Sequence, residues 1–252
     1  LYLQARLSLQ SIGALRSARE QLEAEALLTR AIELDTNFAA AHLERARVRL
    51  ARFVSSHDTG DANLRGLQGD LTAARKMMGD SPPLLTSEAQ YAQLVDFDSA
   101  RAFDLLSRAR AMNPNSSEVC LFLARHLSST GKPAEALVLF ERAANLDPAN
   151  PVVVSDWAAA LKMSRKARES LQISRDFANR YPGRITYGSR LFGFTGDLGQ
   201  LEREMIGDVA NAEDQLVAQF DLLRFSGRLD ELARRLDESE LTTVRQATTG
   251  GF

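Results

Sequence analysis

The sequence predicts an all-α fold, a solenoid of antiparallel helical hairpins, and three observations carry that prediction. Pro114, Pro148 and Pro182 stand 34 residues apart (148 − 114 and 182 − 148), the mark of a repeated unit rather than of one closed core. Apolar residues recur at i, i+3, i+4 and i+7 in successive segments, which is the period of one helix face. Glycine or proline separates those segments, so each helix is short and the chain turns back on itself. A composition with 44% hydrophobic and 25% charged residues over 252 positions is that of an ordinary globular chain able to bury a core.

The clearest unit runs from Asn115 to Asn150. Val119, Cys120, Leu123, Ala124 and Leu127 form one stripe, with Asn115 and Glu118 spaced as an N-terminal capping pair. Gly131 ends that helix, and Pro133 opens the next, where a missing N–H costs nothing. Ala136, Leu137, Phe140, Ala143 and Ala144 form the second stripe, closed at Asp147 and Pro148.

This unit resembles a tetratricopeptide repeat, whose second helix reads A-x3-F-x2-A-x4-P. Ala136, Phe140, Ala143 and Pro148 fill those slots in register, and Cys120, Leu123, Ala124 and Leu127 take the places where the family prefers Trp, Leu, Gly and Tyr. The resemblance implies a right-handed superhelix with first helices on the concave side and second helices outside.

Taken in order, Ala24, Leu28, Ala31 and Thr36 form the first second-helix pattern, with Ser17 and Glu20 as a capping box ahead of it. From Ala24 to Ala102 is 78 residues (102 − 24), 34 plus 44, so one repeat carries about ten extra. These are assigned to an inserted loop near 53–70, where Gly60, Gly66 and Gly69 lie among Ser, Asp and Asn. Ala102, Leu106 and Ala109 mark the repeat ending at Pro114, and Ser170, Ser174 and Phe177, behind Trp157 and Ala158, the one ending at Pro182. Beyond it, 185–194, Leu198 to Val209, Ala212 to Phe225 and Leu229 to Glu238 continue as divergent terminal hairpins. The expectation is a single domain over 1–240 of about seven hairpins, then a flexible tail over 241–252.

Few residues invite chemistry. His42, His57 and His126 lack a second ligand at metal spacing, so no metal site, cofactor or catalytic residue is expected, and His42 and His126 read as satisfied structural histidines. Ser55, Ser56, His57 and Asp58 hold the residue types of a nucleophilic triad, but adjacency in sequence is not the side-by-side approach a triad needs. Asp58, Asp61 and Asn63 lack the closing Glu of a calcium loop, and Gly193 to Gly199 lacks the Gly-Lys-Ser/Thr of a phosphate loop. Arg45, Arg49 and Arg52 share a helix face without interleaved aromatics and read as a solvated basic face.

The net charge of −2 supplies no field for nucleic acid or an anionic membrane, and no apolar run approaches the roughly 20 residues that cross a bilayer. Cys120, the single cysteine, fits a reducing, cytoplasmic setting. The chain lacks an initiator Met and starts inside an apolar pattern, which reads as a piece of something longer. Its opening LYLQARLSLQ and ALLTRAIELDTNFAAAH resemble the C-terminal repeat region of bacterial multidomain regulators.

What the tetratricopeptide resemblance implies for function is a non-catalytic module that binds a peptide or protein partner in its concave groove. Equivalent first-helix positions give Leu43, Arg47, Ser87, Tyr91, Leu121, Phe122, Arg125, Ser155 and Lys162 as the groove set. Its mix of cationic, aromatic and apolar groups suits a segment bearing acidic and apolar residues. Chaperone-tail clamps of the family carry Lys and Asn at slots that here hold Leu43, Ser87, Leu121 and Ser155, followed by Arg47, Tyr91, Arg125 and Ala159, so that kind of clamping is not expected. Self-association of a larger signalling protein, giving a homo-oligomer, is the alternative reading.

Overall fold

In the computed structural model, the structure describes residues 1–5, 18–181, 228, 230, 231 and 234. Every regular element of appreciable length among them is an α-helix, in agreement with the all-α expectation. The helices are α1 (Ala18–Leu34), α2 (Ala39–Val54), α3 (Asp61–Met78), α4 (Pro82–Leu94), α5 (Ser99–Met112), α6 (Ser117–Ser129), α7 (Pro133–Leu146), α8 (Pro151–Met163) and α9 (Ala167–Arg180). Ser17, Pro182, the 185–194 helix, the glycines from Gly193 to Gly199, the hairpins placed after them and the 241–252 tail lie outside the described residues, apart from isolated positions.

The chain divides into two compact units, Leu1–Ala160 and Leu161–Phe252. In the first, α2 pairs with α3, α4 with α5 and α6 with α7 as hairpins, and α1 packs on α2. The second-helix slots explain the pairing: Ala102, Leu106 and Ala109 on α5 and Ala136, Phe140 and Ala143 on α7 are all buried. Small residues at the two alanine slots let the partner helix approach closely, while the Leu or Phe between them fills the gap. Cys120, Leu123, Ala124 and Leu127 of α6 join the same core, which runs from Leu85 to Ala160. In the second unit Ser170, Ser174 and Phe177 of α9 are likewise buried.

The first helices lie inside the stack. α2 packs on α4 and α4 on α6, whereas successive second helices come no comparably close to one another. Curvature follows, with α2, α4 and α6 forming the concave layer of this unit.

The region read as an inserted loop is mostly helix. Only residues 55–60 connect α2 to α3, and α3 carries Leu67, Leu71 and Ala74 buried in the second-helix slots. Leu67 lies 35 residues before Ala102 (102 − 67) and 43 after Ala24 (67 − 24), so the extra length sits ahead of Leu67, in a longer α2, its connection and the start of α3. Gly66 and Gly69 do not break α3. A Cβ on Gly66 would lie 2.5 Å from the Arg49 guanidinium, so glycine here makes room for that side chain.

The hairpin turns repeat as faithfully as the helices. Phe97, Gly131 and Arg165 lie 34 residues apart (131 − 97 and 165 − 131), each with positive φ. The residue after each donates its N–H back into the preceding helix: Asp98 to Ala92, Lys132 to Leu127 and Lys166 to Leu161. Glycine is at ease there, whereas Phe97 and Arg165 accept strain to close the same turn.

The predicted capping pair on α6 is displaced by one residue. Ser116, not Asn115, caps the helix, its Oγ accepting the Val119 N–H at 3.3 Å. Asn115 Oδ1 instead accepts from Arg142 of α7, and Glu118 pairs with Arg47 of α2.

Candidate functional site: the inner helical face

The inner face of the first unit sorts the predicted groove residues by depth. Leu43 and Leu121 are core residues, and Ser87 is buried with its Oγ donating to the Pro83 carbonyl at 3.0 Å. The helical repeat fixes which turn a position occupies but not which of two neighbours points outward, so these three shape the face from behind. Tyr91 and Phe122 are half-buried, one packed on the α2–α3–α4 core and the other on the α4–α8 core. Ser155 of α8 is half-buried, and Lys162 is exposed in the second unit.

Arg47 and Arg125 are built into the face. Arg47 Nε donates to Ser87 Oγ at 3.0 Å, its Nη1 to Glu44 at 3.3 Å and its Nη2 to the Pro83 carbonyl at 3.4 Å. Nη2 also lies 2.8 Å from Glu118, so one guanidinium bridges α2, α4 and α6. Arg125 Nε donates to Asp156 of α8, and its guanidinium lies 4.9 Å from the centre of the Phe122 ring. A cation over an aromatic face is attracted by the ring quadrupole, so Arg125 is held from two sides. Gln93 adds a polar tie from α4 to α6, its Oε1 3.1 Å from His126 Nδ1 and its Nε2 donating to Ser129.

Behind this face lies an ionic cluster absent from the sequence reading. Arg45, Arg49 and Arg52 are not a solvated basic face but are largely buried between α1 and α3. Asp70 of α3, only 3% exposed, accepts Nε and Nη2 of Arg45 at 2.9 and 2.7 Å and Nη1 of Arg49 at 2.7 Å. His42 Nδ1 lies 3.0 Å from the same carboxylate, and its Nε2 3.2 Å from the Thr36 carbonyl, so His42 is the satisfied structural histidine expected of it. Glu25 of α1 takes Arg49 and Arg52, and Asp58 takes Arg52 at 2.8 Å. Three guanidinium groups thus meet three carboxylates, the balance that buried charge requires. A second network joins α3, α4 and α5: Arg75 pairs with Glu88 and Asp80, and Asp80 with Arg108. Those arginines hold the Asp80 carboxyl below its usual range.

The residue types of a triad do not converge. His57 Nδ1 faces Gln21 Oε1 at 2.9 Å, while Asp58 is occupied by Arg52 and by the Gly60 N–H. Asn63 Nδ2 donates to the carbonyls of Arg49 and Asp58, so it braces the connection. His126 is buried, and burial together with nearby Lys132 holds its imidazole below the usual range, favouring the neutral form. Among the described residues no helix is long and apolar enough to cross a membrane.

Residues 96–155 match the sequence profile of the family described as Tetratricopeptide repeat. No curated protein matches the chain. Among solved structures it is similar to yeast Tom70, with a TM-score of 0.58 and 13% identity over 82% of this chain and 44% of that one. It is also similar to Pseudomonas aeruginosa PilF, with a TM-score of 0.50 and 19% identity over 79% of this chain and 89% of that one. Identities this low speak for the fold alone. Residues 96–155 are tetratricopeptide repeat sequence, and the hairpins described above have the fold of tetratricopeptide repeat proteins.

Proposed function

We propose that the chain is a non-catalytic interaction module that takes a peptide or protein partner on the concave face of its first unit. One observation carries the reading. The inner helices present Tyr91 and Phe122 half-exposed, with fixed polar groups around them, while the apolar slots behind are filled. Rigid aromatic side chains framed by polar groups are what protein interfaces use as anchors. Arg47, Arg125 and Ser155 frame these anchors, and Leu43, Ser87 and Leu121 set the floor beneath them.

Site-resolved photo-crosslinking tests this. A photoreactive phenylalanine analogue is placed at Phe122, and separately at Val138 on the outer helix α7, in chain incubated with extract of its source cell. The proposal expects a partner crosslinked from position 122 and not from 138. Crosslinks from 138 alone, or only between copies of this chain, would overturn it.

A self-association reading draws on Leu34, Met112 and Val138, large apolar side chains exposed on second helices. It expects a mass in solution that rises with protein concentration, and a constant monomer mass removes it.

A further inference from the structure

We infer that the occupant of the inner face is cationic: a segment in which an apolar or aromatic residue is flanked by lysine or arginine. This rests on the groove reading and names the chemistry of the partner. It reverses the acidic ligand that the arginines suggest in sequence.

The charged groups of the inner helices divide into two sets. Arg45, Arg49 and Arg52 of α2 turn back into the Asp70 and Glu25 cluster, and Glu88 of α4 is buried against Arg75. What faces the groove from the described part of the first unit is Glu44, Arg47, Glu118, Arg125 and Asp156, two cations against three anions. Their pairing is also unequal. Arg47 has every nitrogen engaged, and Arg125 is fixed by Asp156 and by the Phe122 ring. An incoming carboxylate or phosphate would have to break an existing ion pair to reach Arg47, and at the open Nη groups of Arg125 it would meet the Asp156 carboxylate already paired to Nε. Glu118 and Asp156, by contrast, each give one oxygen to an arginine and keep side chains 37% and 29% exposed. An ammonium or guanidinium can add to their second oxygens without displacing anything, as carboxylates readily accept more than one donor.

Spacing makes the inference specific. Glu118, Phe122 and Arg125 stand at i, i+4 and i+7 on α6, and therefore share one face. At about 1.5 Å of rise per residue, Glu118 and the Arg125–Asp156 pair are separated by roughly 10 Å along the helix. The Phe122 ring lies between them. An extended chain advances about 3.3 Å per residue, so basic residues about three apart straddle the ring and leave an apolar residue to cover it.

The test uses the full chain and two labelled peptides of about a dozen residues, with identical leucine positions and either lysine or glutamate elsewhere. Fluorescence anisotropy at physiological salt compares the natural chain, a Glu118→Gln/Asp156→Asn variant and a control Glu135→Gln/Glu141→Gln variant on outer helix α7. The lysine peptide is expected to bind at least about tenfold more tightly than the glutamate peptide, and to lose about that factor in the inner-face variant only. Preference for the glutamate peptide, equal loss in the control variant, or no binding of the lysine peptide overturns the cationic assignment. Phe122→Ala separates the two levels of the argument. If it removes binding of whichever peptide is preferred, the groove stands whatever its charge preference; if it changes neither, the groove reading falls as well. Circular dichroism and melting of each variant confirm that the helices are intact, and Glu118→Gln alone, which leaves Arg47 paired with Glu44, is the variant least able to disturb the fold.

Discussion

The α1–α3 region and the α5–α7 region build the same kind of helical packing from opposite materials. In α5–α7 the hairpins close over alanine, leucine and phenylalanine at the repeat slots, and the turn falls where the 34-residue period puts it. In α1–α3 the apolar slots are also filled, by Leu28, Leu67, Leu71 and Ala74, but the space between the three helices is occupied by three arginines and their carboxylates. The regular period therefore holds where contacts are apolar and local. Where a charged network joins three helices, the hairpin can lengthen without losing its packing.

The sharpest way to break this contrast is at Asp70. Asp70→Asn leaves Arg45 and Arg49 without their shared carboxylate, and removing one partner of a buried ion pair typically costs about 3 to 5 kcal/mol. Urea unfolding should show a loss of that order, with α1–α3 losing hydrogen-exchange protection before α5–α7. Uniform loss across both regions would mean that the cluster does not belong to the first region alone.

The turns allow a smaller test in the opposite direction. Phe97 is 83% exposed and held at φ 55°, so its ring adds little packing while its backbone is strained. Phe97→Gly should stabilise the chain by up to about 1 kcal/mol, the left-handed penalty less the entropy glycine loses on folding. Gly131→Ala, at the equivalent turn, should destabilise by a comparable amount. A fall in the urea midpoint for Phe97→Gly would show that the exposed ring stabilises the turn.

The smallest expected effect concerns acid and bears on α6 alone. His126 is held below its ordinary value by burial and by Lys132, so the unfolded chain takes up a proton more readily than the folded one. Its contribution to stability is complete above the ordinary imidazole pKa of 6.5 and is lost as pH falls from there through the folded value. The drop in urea midpoint between pH 7.5 and 5.5, pH values chosen to bracket a typical histidine near 6.5, should be shallower in His126→Gln. An unchanged pH slope in that variant would remove the histidine from the account.

These contrasts also explain what sequence could and could not reveal. The slots at Ala102, Leu106 and Ala109 and at Ala136, Phe140 and Ala143 were legible because apolar burial at fixed spacing is a local pattern. α3 was not, because Gly66 and Gly69 read as breakers until Arg49 is seen passing over Gly66. The basic face of α2 misled for the same reason: the carboxylates that neutralise it stand on α1 and α3, and helix periodicity records nothing about facing elements. Tyr91, Phe122 and Arg125 were found as surface groups, whereas Leu43, Ser87 and Leu121 needed the packing of α3, α5 and α7 to reveal their depth.

Cys120 gives the chain a label of its own. It is the only sulfhydryl in the sequence, has no exposed surface in the heart of α6, and burial raises its thiol pKa, so it is both shielded and poor in thiolate. A disulfide reagent in solution can reach it only when the α6–α7 packing opens. The rate at which folded protein is modified therefore counts those openings one molecule at a time, at a single known address, without an engineered probe.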